Sequence, residues 1–293
     1  MKKLKFLAMA LAAVVLPLGF ASCGGSEDDE EDLWKGELEN PKYESDAVLF
    51  NVTDDDSDIA SIELTASGDY IVIPCEYDAP APIMPSMAPA LRKTAPKSIF
   101  RKSTTSRAGW EYGVFGEYKK LKEGVYELIG YGTLTIVNDS RINLALDNGG
   151  DLNLDVTKAT EIQANALNNR LCRTWQITGG QYKVYDLEGN LIHTEKMTDR
   201  EIKEECVEYV VMSKANTYIT IDWDGEIDGY GVWNWEDKDL QVFNYHYTDE
   251  DFTGSVKVTF DGDRCKFYER TYDYWGVDEE EAIVEVIISC KAK

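Results

Sequence analysis

Nucleophilic or metal chemistry in this 293-residue chain has to draw on two histidines, six cysteines and 54 acidic side chains. His193 and His246 belong to no HExxH, GxSxG or Cys–His pattern, so the sequence carries neither a zinc-hydrolase signature nor an activated nucleophile. In "FNYHY" the two-residue period turns His246 away from Phe243, Tyr245 and Tyr247, as expected of an exposed or satisfied strand histidine. With so many carboxylates, some pair will match the spacing for glycoside hydrolysis by chance, and that spacing carries no weight. Asp222, Asp224 and Asp228 in "DWDGEIDG" are hard oxygen donors and weak calcium candidates. They lack a third closely spaced acid and a distal Glu, and Asp224-Gly225 already reads as a hairpin turn. "DDDSD" at 54–58 reads as a solvated turn. No metal, cofactor or catalytic residue is expected.

The aromatic residues carry more information. Trp233 and Trp235 share one strand face by the two-residue period, as do Phe243, Tyr245 and Tyr247 on the next strand. If those faces point into a small barrel they either fill it or line a pocket for an apolar or sugar ligand, because barrels of this size do both. These five residues are the candidate ligand-binding set.

The cysteines separate by position. Cys75, Cys172, Cys206, Cys265 and Cys290 show no CxxC spacing, which argues against a zinc site. In an exported protein a disulfide between two of the last four is allowed, but spacing does not say which, and buried thiols fit equally well. Cys23 is different. It closes an apolar run that begins after Lys2, Lys3 and Lys5, follows the small residues Ala21-Ser22, and has the form of a secretory leader over residues 1–22. That run is too short for a comfortable membrane span. Behind the thiol comes "GGSEDDEED", an acidic tether over residues 23–39 in which like charges repel and extend the backbone.

Removing residues 1–22, with three lysines and no acid, takes the net charge from -24 to -27. A chain this acidic repels nucleic-acid backbone and anionic membrane faces, so nucleic acid is excluded as an expected partner. Hydrophobic content of 43% is nevertheless that of a folded protein.

Short alternating segments bounded by turn residues recur from residue 46 onward, predicting an all-β chain, mostly antiparallel meander or barrel, with short helices. "SIELTASGDYIVI" is strand, Ser67-Gly68-Asp69 turn, strand. Further turns are expected at Asn138-Asp139, Asn148-Gly149 and Asp261-Gly262-Asp263. The segments also repeat in order: "ELTASGDYIVI" with "VVMSKANTYITI", "YGVFGEY" with "YGVWNWE", and "GTLTIVNDSRINLAL" with "GSVKVTFDGDRCKFY". Two related β units follow, over residues 40–155 and 156–293.

Between them, "TKATEIQANALNNRL" places Ala159, Ile162, Ala166 and Leu167 at helical spacing with Thr157 as cap. In "TDREIKEEC", Thr198 and Glu201 stand at capping-box spacing, and both helices are placed to cover barrel openings. From Pro74 to Gly109 runs a Pro-rich insert carrying six of the eight prolines and the basic residues Arg92, Lys93, Lys97, Arg101, Lys102 and Arg107. It reads as a long mobile loop.

Three resemblances bear on function. "GFASC" resembles the lipobox of bacterial lipoproteins, which implies acylation of Cys23 and a membrane partner reached through that anchor. The acidic block behind it is similar to the export signal of Bacteroides-type surface lipoproteins, implying an outer-membrane anchor and cell-surface display, the alternative being the periplasmic face. "NNRLCRTWQI", "EECVEYVVMSKANTYITI" and "GYGVWNWEDKDLQVF" resemble lipocalin-like domains of such lipoproteins over residues 165–293. The first half has Trp110 and Tyr112 but no second "RTW" entry, so a complete barrel is not expected there. The reading is two tandem lipocalin-like units in a non-catalytic surface lipoprotein. It serves as a binding or accessory module for an apolar or glycan ligand; alternatively it is a structural or adhesive component with filled barrels, and thirdly a glycan-acting enzyme.

Overall fold

A computed structural model describes residues 41–75, 113–163, 165–247, 253–275 and 280–293. Cys23, the leader, the acidic tether, Trp110, Tyr112 and the Pro-rich insert beyond Cys75 lie outside the described residues.

The strands fall where β-branched and aromatic residues alternate with polar ones, and they close two antiparallel barrels in succession. The first is a meander of eight: β1 (Val48–Val52), β2 (Ile59–Leu64), β3 (Asp69–Pro74), β4 (Val114–Lys122), β5 (Val125–Leu128), β6 (Gly132–Asn138), β7 (Arg141–Leu146) and β8 (Asp151–Lys158). Closure comes from β8 returning to β1, with Phe50 opposite Lys158 and Val52 opposite Val156. The first half is therefore a complete barrel, contrary to expectation. The missing "RTW" entry is a difference of one strand's sequence, and closure needs only a β1 that can pair on both edges.

That closure also overrides the helix expected from Thr157. Thr157 and Lys158 are held in β8 by the ladder to β1, so Thr157 caps nothing, and the helix α1 is confined to Ala166–Leu171. Its cap is Asn165, whose side chain accepts the Asn168 N–H at 2.8 Å. Local helical spacing lost to the strand pairing that seals a barrel.

The second barrel uses β9 (Thr174–Tyr185), β11 (Tyr209–Met212), β12 (Thr217–Ile221), β13 (Ile227–Asp237), β14 (Val242–Tyr247), β15 (Thr253–Asp261), β16 (Arg264–Trp275) and β17 (Glu280–Ala292). It closes through β17 on β9. β10 (Leu191–Lys196) pairs with the far half of β9 and is exposed along its length. The helix α2 (Asp199–Glu205) starts at Thr198 with the expected capping box: Thr198 Oγ1 accepts the Glu201 N–H at 3.2 Å, and Glu201 Oε2 accepts the Thr198 N–H at 2.7 Å. Leu171 of α1 and Ile202 of α2 both enter the second barrel's core. Thr198→Ala is expected to cost about 0.5–2 kcal/mol, the usual range for a lost cap. A urea denaturation midpoint indistinguishable from that of the parent chain would contradict it.

The expected turns all form, with Gly68, Gly149, Gly225 and Gly262 at positive φ. The internal repeat is visible in hydrogen bonds. In the first barrel Tyr118 N–H donates to Gly68 O and Tyr118 Oη to Thr65 O; in the second, Trp233 N–H donates to Asn216 O and Trp233 Nε1 to Ser213 O. Tyr70 lies opposite Gly116, as Tyr218 lies opposite Gly231, each ring occupying the space a glycine Cβ would fill. Gly231 thus corresponds to Gly116, which shifts the repeat drawn between "YGVFGEY" and "YGVWNWE" by three residues. The tyrosine-over-glycine pair sets the register; the shared "YGV" letters do not.

The two barrels belong to one compact unit and meet through equivalent strands. The outward face of β3 packs on those of β11, β12 and β13 through Ile71, Ile73, Val211, Ile219, Ile221 and Ile227, with Ala60 of β2 and Phe115 of β4 at its sides.

Candidate functional site

The five aromatic residues singled out from the sequence occupy adjacent positions in the second barrel. β13 and β14 pair so that Trp233 faces Tyr245, Trp235 faces Phe243, and Gly231 faces Tyr247. Trp233, Phe243 and Tyr245 are inside, each no more than 1% exposed. Trp235 is partly buried against the same core, and His246 is exposed on the opposite face.

What surrounds these rings is one another. Trp233 meets Trp235 edge-on at 5.7 Å and Phe243 at 6.1 Å; Phe243 continues to Phe267 at 6.2 Å, and Phe267 to Trp175 at 6.4 Å. Edge-to-face contacts at these separations are favourable beyond the area they bury. The polar atoms are satisfied inside the chain. Trp235 Nε1 donates to Asn168 Oδ1 of α1 at 2.7 Å, Trp175 Nε1 to Leu171 O at 2.9 Å, and Tyr245 Oη to Glu269. A sugar or lipid pocket keeps convergent polar groups for its ligand; here the indole N–H groups are already spent on the scaffold. Tyr245 is further pinned by Tyr218, edge-on at 5.7 Å, and by Gly254, whose absent Cβ makes room for the ring.

The remaining candidates do not converge. Asp222 Oδ1 accepts the N–H groups of Asp224 and Glu226, the geometry of the turn around Gly225. Among the described residues no group of three or more His, Cys, Asp or Glu side chains is placed to hold a metal ion. His193 is exposed on β10 beside Glu195. No helix among the described residues is long and apolar enough to cross a membrane.

Sequence reasoning missed the polar seam between the barrels. Two carboxylates are turned outward from the first barrel and buried against the second. Glu63 of β2 accepts from Thr217 Oγ1 at 2.9 Å, and Asp69 of β3 accepts from Thr174 Oγ1 at 2.6 Å and Lys293 Nζ at 2.6 Å. Glu44, less buried, receives Lys214 Nζ at 3.3 Å. Burial raises the Glu63 carboxyl to about 7, against the lowering effect of hydrogen bonds from Ser213 and Thr217. A cavity of about 10 Å³, bordered by Glu63, Cys172, Ser213 and Lys214, opens beside it; that is room for about one water molecule. In the sequence, Glu63 and Asp69 were two acids among 54 on strands with the expected alternation. The one signal was that they share with Ile71 and Ile73 a face that a lone barrel would leave in solvent.

No protein-family model matches the chain, and no curated protein matches it.

Proposed function

We propose that the chain is a non-catalytic lipoprotein of a bacterial outer membrane, anchored by acyl groups on Cys23 and displayed on the cell surface. In this reading its paired barrels act as a packed structural or adhesive body rather than as a carrier of an interior ligand. The observation that carries the second part is the mutual burial of Trp233, Phe243 and Tyr245, which leaves the aromatic face selected from the sequence in contact with its own neighbours. Whatever this protein engages then meets the outside of the barrels. The buried acids Glu63 and Asp69, committed to contacts between barrels, favour a non-catalytic body over a glycan-cleaving one.

The first part rests on the leader and the "GFASC" junction. A single acyl chain holds a protein only marginally, and stable residence needs more than one. The strongly acidic body gains nothing from anionic headgroups, so the lipid would supply all of the attachment. Expected results are an intact mass that begins at Cys23 and carries acyl groups, release into the soluble fraction on Cys23→Ser, and loss of the protein when intact cells are treated with protease. An unmodified residue 23, or a protein untouched by protease on intact cells, overturns the anchor or the surface display respectively.

A further inference from the structure

Cys265 and Cys290 face each other across the hairpin of β16 and β17. They are register partners, directly opposite in the antiparallel ladder, with both side chains in the second barrel's core at 2% and 1% exposure. The two thiols are close enough to act on each other electrostatically. Opposed residues in such a ladder have Cα atoms about 4.5–5.5 Å apart, inside the span of about 4.4–6.8 Å that a disulfide bridges. Cys75, Cys172 and Cys206 are placed differently: Cys75 follows β3, Cys172 ends α1, and Cys206 ends α2.

We propose that Cys265 and Cys290 are an oxidation site and close to a single disulfide between β16 and β17 as the chain folds, with an enzyme disulfide of the thiol–disulfide oxidoreductase class as oxidant. Two S–H bonds break and one S–S bond forms; the two electrons and two protons leave on the oxidant, which departs as a dithiol. In cells the inference rests on the export argued above, because a reducing cytosol would keep both thiols.

The position sets both the timing and the consequence. The ladder between β16 and β17 runs from Arg264 opposite Lys291 to Trp275 opposite Glu280, so the bridge lies at the open end of the longest hairpin among the described residues. It would fasten β16 to the strand whose other edge closes the barrel on β9, where Cys290 also lies opposite Ile177. Burial raises the Cys265 thiol well above its ordinary range, and a thiol that is neither ionised nor accessible exchanges slowly. The bond therefore forms before the barrel closes, and afterwards the same burial shields it from reductants.

The test is oxidative refolding of the purified chain from denaturant in a mixture of oxidised and reduced glutathione, followed by alkylation and peptide mapping. The expected product joins the peptides bearing Cys265 and Cys290, is about 2 Da lighter than the dithiol, and leaves Cys75, Cys172 and Cys206 alkylated. A reducing agent is expected to lower the melting temperature of this product and to leave that of the Cys265→Ala/Cys290→Ala variant unchanged. If Cys265 and Cys290 both take up the alkylating reagent after refolding, or if another pair predominates, the assignment is overturned. Mapping of the parent chain decides this even if the variant does not fold. The same map on protein taken from cells separates the two claims: a bond formed in refolding but absent from cells overturns export and leaves the pairing standing.

Discussion

Trp233→Ala is expected to destabilise the chain by about 3–5 kcal/mol and to create an apolar binding site that the parent chain lacks. Trp233 is 1% exposed and touches Trp235 and Phe243, while its indole N–H reaches Ser213 O at 3.3 Å. Truncation removes the ring from a region held by closed hydrogen-bond ladders on all sides, so collapse is restricted and a void on the order of 100 Å³ or more remains. A dry cavity of that size, lined by aromatic and aliphatic side chains, takes up small apolar molecules. Indole should therefore bind the variant and raise its melting temperature, with no effect on the parent. The alternative reading of the same residues makes the opposite prediction. Were Trp233 and its neighbours the lining of a natural pocket, the parent chain would take up apolar probes, and the truncation would weaken their binding at modest cost in stability. Calorimetric titration of both proteins with indole discriminates between the two, and saturable uptake by the parent chain would contradict a filled interior.

Why this distinction was invisible in the sequence is itself physical. Alternation placed Trp233, Trp235, Phe243 and Tyr245 on shared faces, and the register confirms that grouping. But period two says only which residues point the same way; whether the space they enter is empty depends on residues far along the chain. Trp175, Phe267 and Glu269 complete the packing from β9 and β16, and Asn168 from α1 supplies the partner for Trp235. Turns and the α2 cap were legible because they are local: Gly68, Gly225 and Thr198 each answer to backbone geometry within four residues. Closure of the first barrel was not, since it joins Phe50 to Lys158 across more than a hundred positions. Packing of one barrel on the other has the same character. Ile71 and Ile219 read as ordinary strand residues, and only their meeting reveals that each barrel buries an outer face.

Glu63 offers a measurement of that meeting through pH. Its carboxyl lies between the barrels, bonded to Thr217, with Ser213, Cys172, Tyr230 and the Lys214–Glu44 pair around it. In the unfolded chain it titrates near 4.5, and in the folded protein near 7. Because the folded pKa lies above the unfolded one, the native state holds the extra proton between these values, and stability falls as pH rises across that window. The contribution is fully present below about pH 4.5 and has gone once the folded carboxyl ionises above about pH 7; a displacement of this size corresponds to about 3 kcal/mol. Cys172 and Tyr230 are both pushed upward by burial, Tyr230 to about 12, so neither titrates in the same interval. Glu63→Gln keeps an acceptor for Thr217 and removes the charge. The variant should match the parent at pH 4.5 and exceed it by about 3 kcal/mol at pH 8, with the difference opening between those values. The general acid load of the surface changes both proteins alike and cancels in the comparison. Urea denaturation of the pair across this range checks the sign and the size. Parallel pH profiles would mean that the carboxyl is already ionised and solvated when the barrels are together, and the seam between them would then be wet rather than closed.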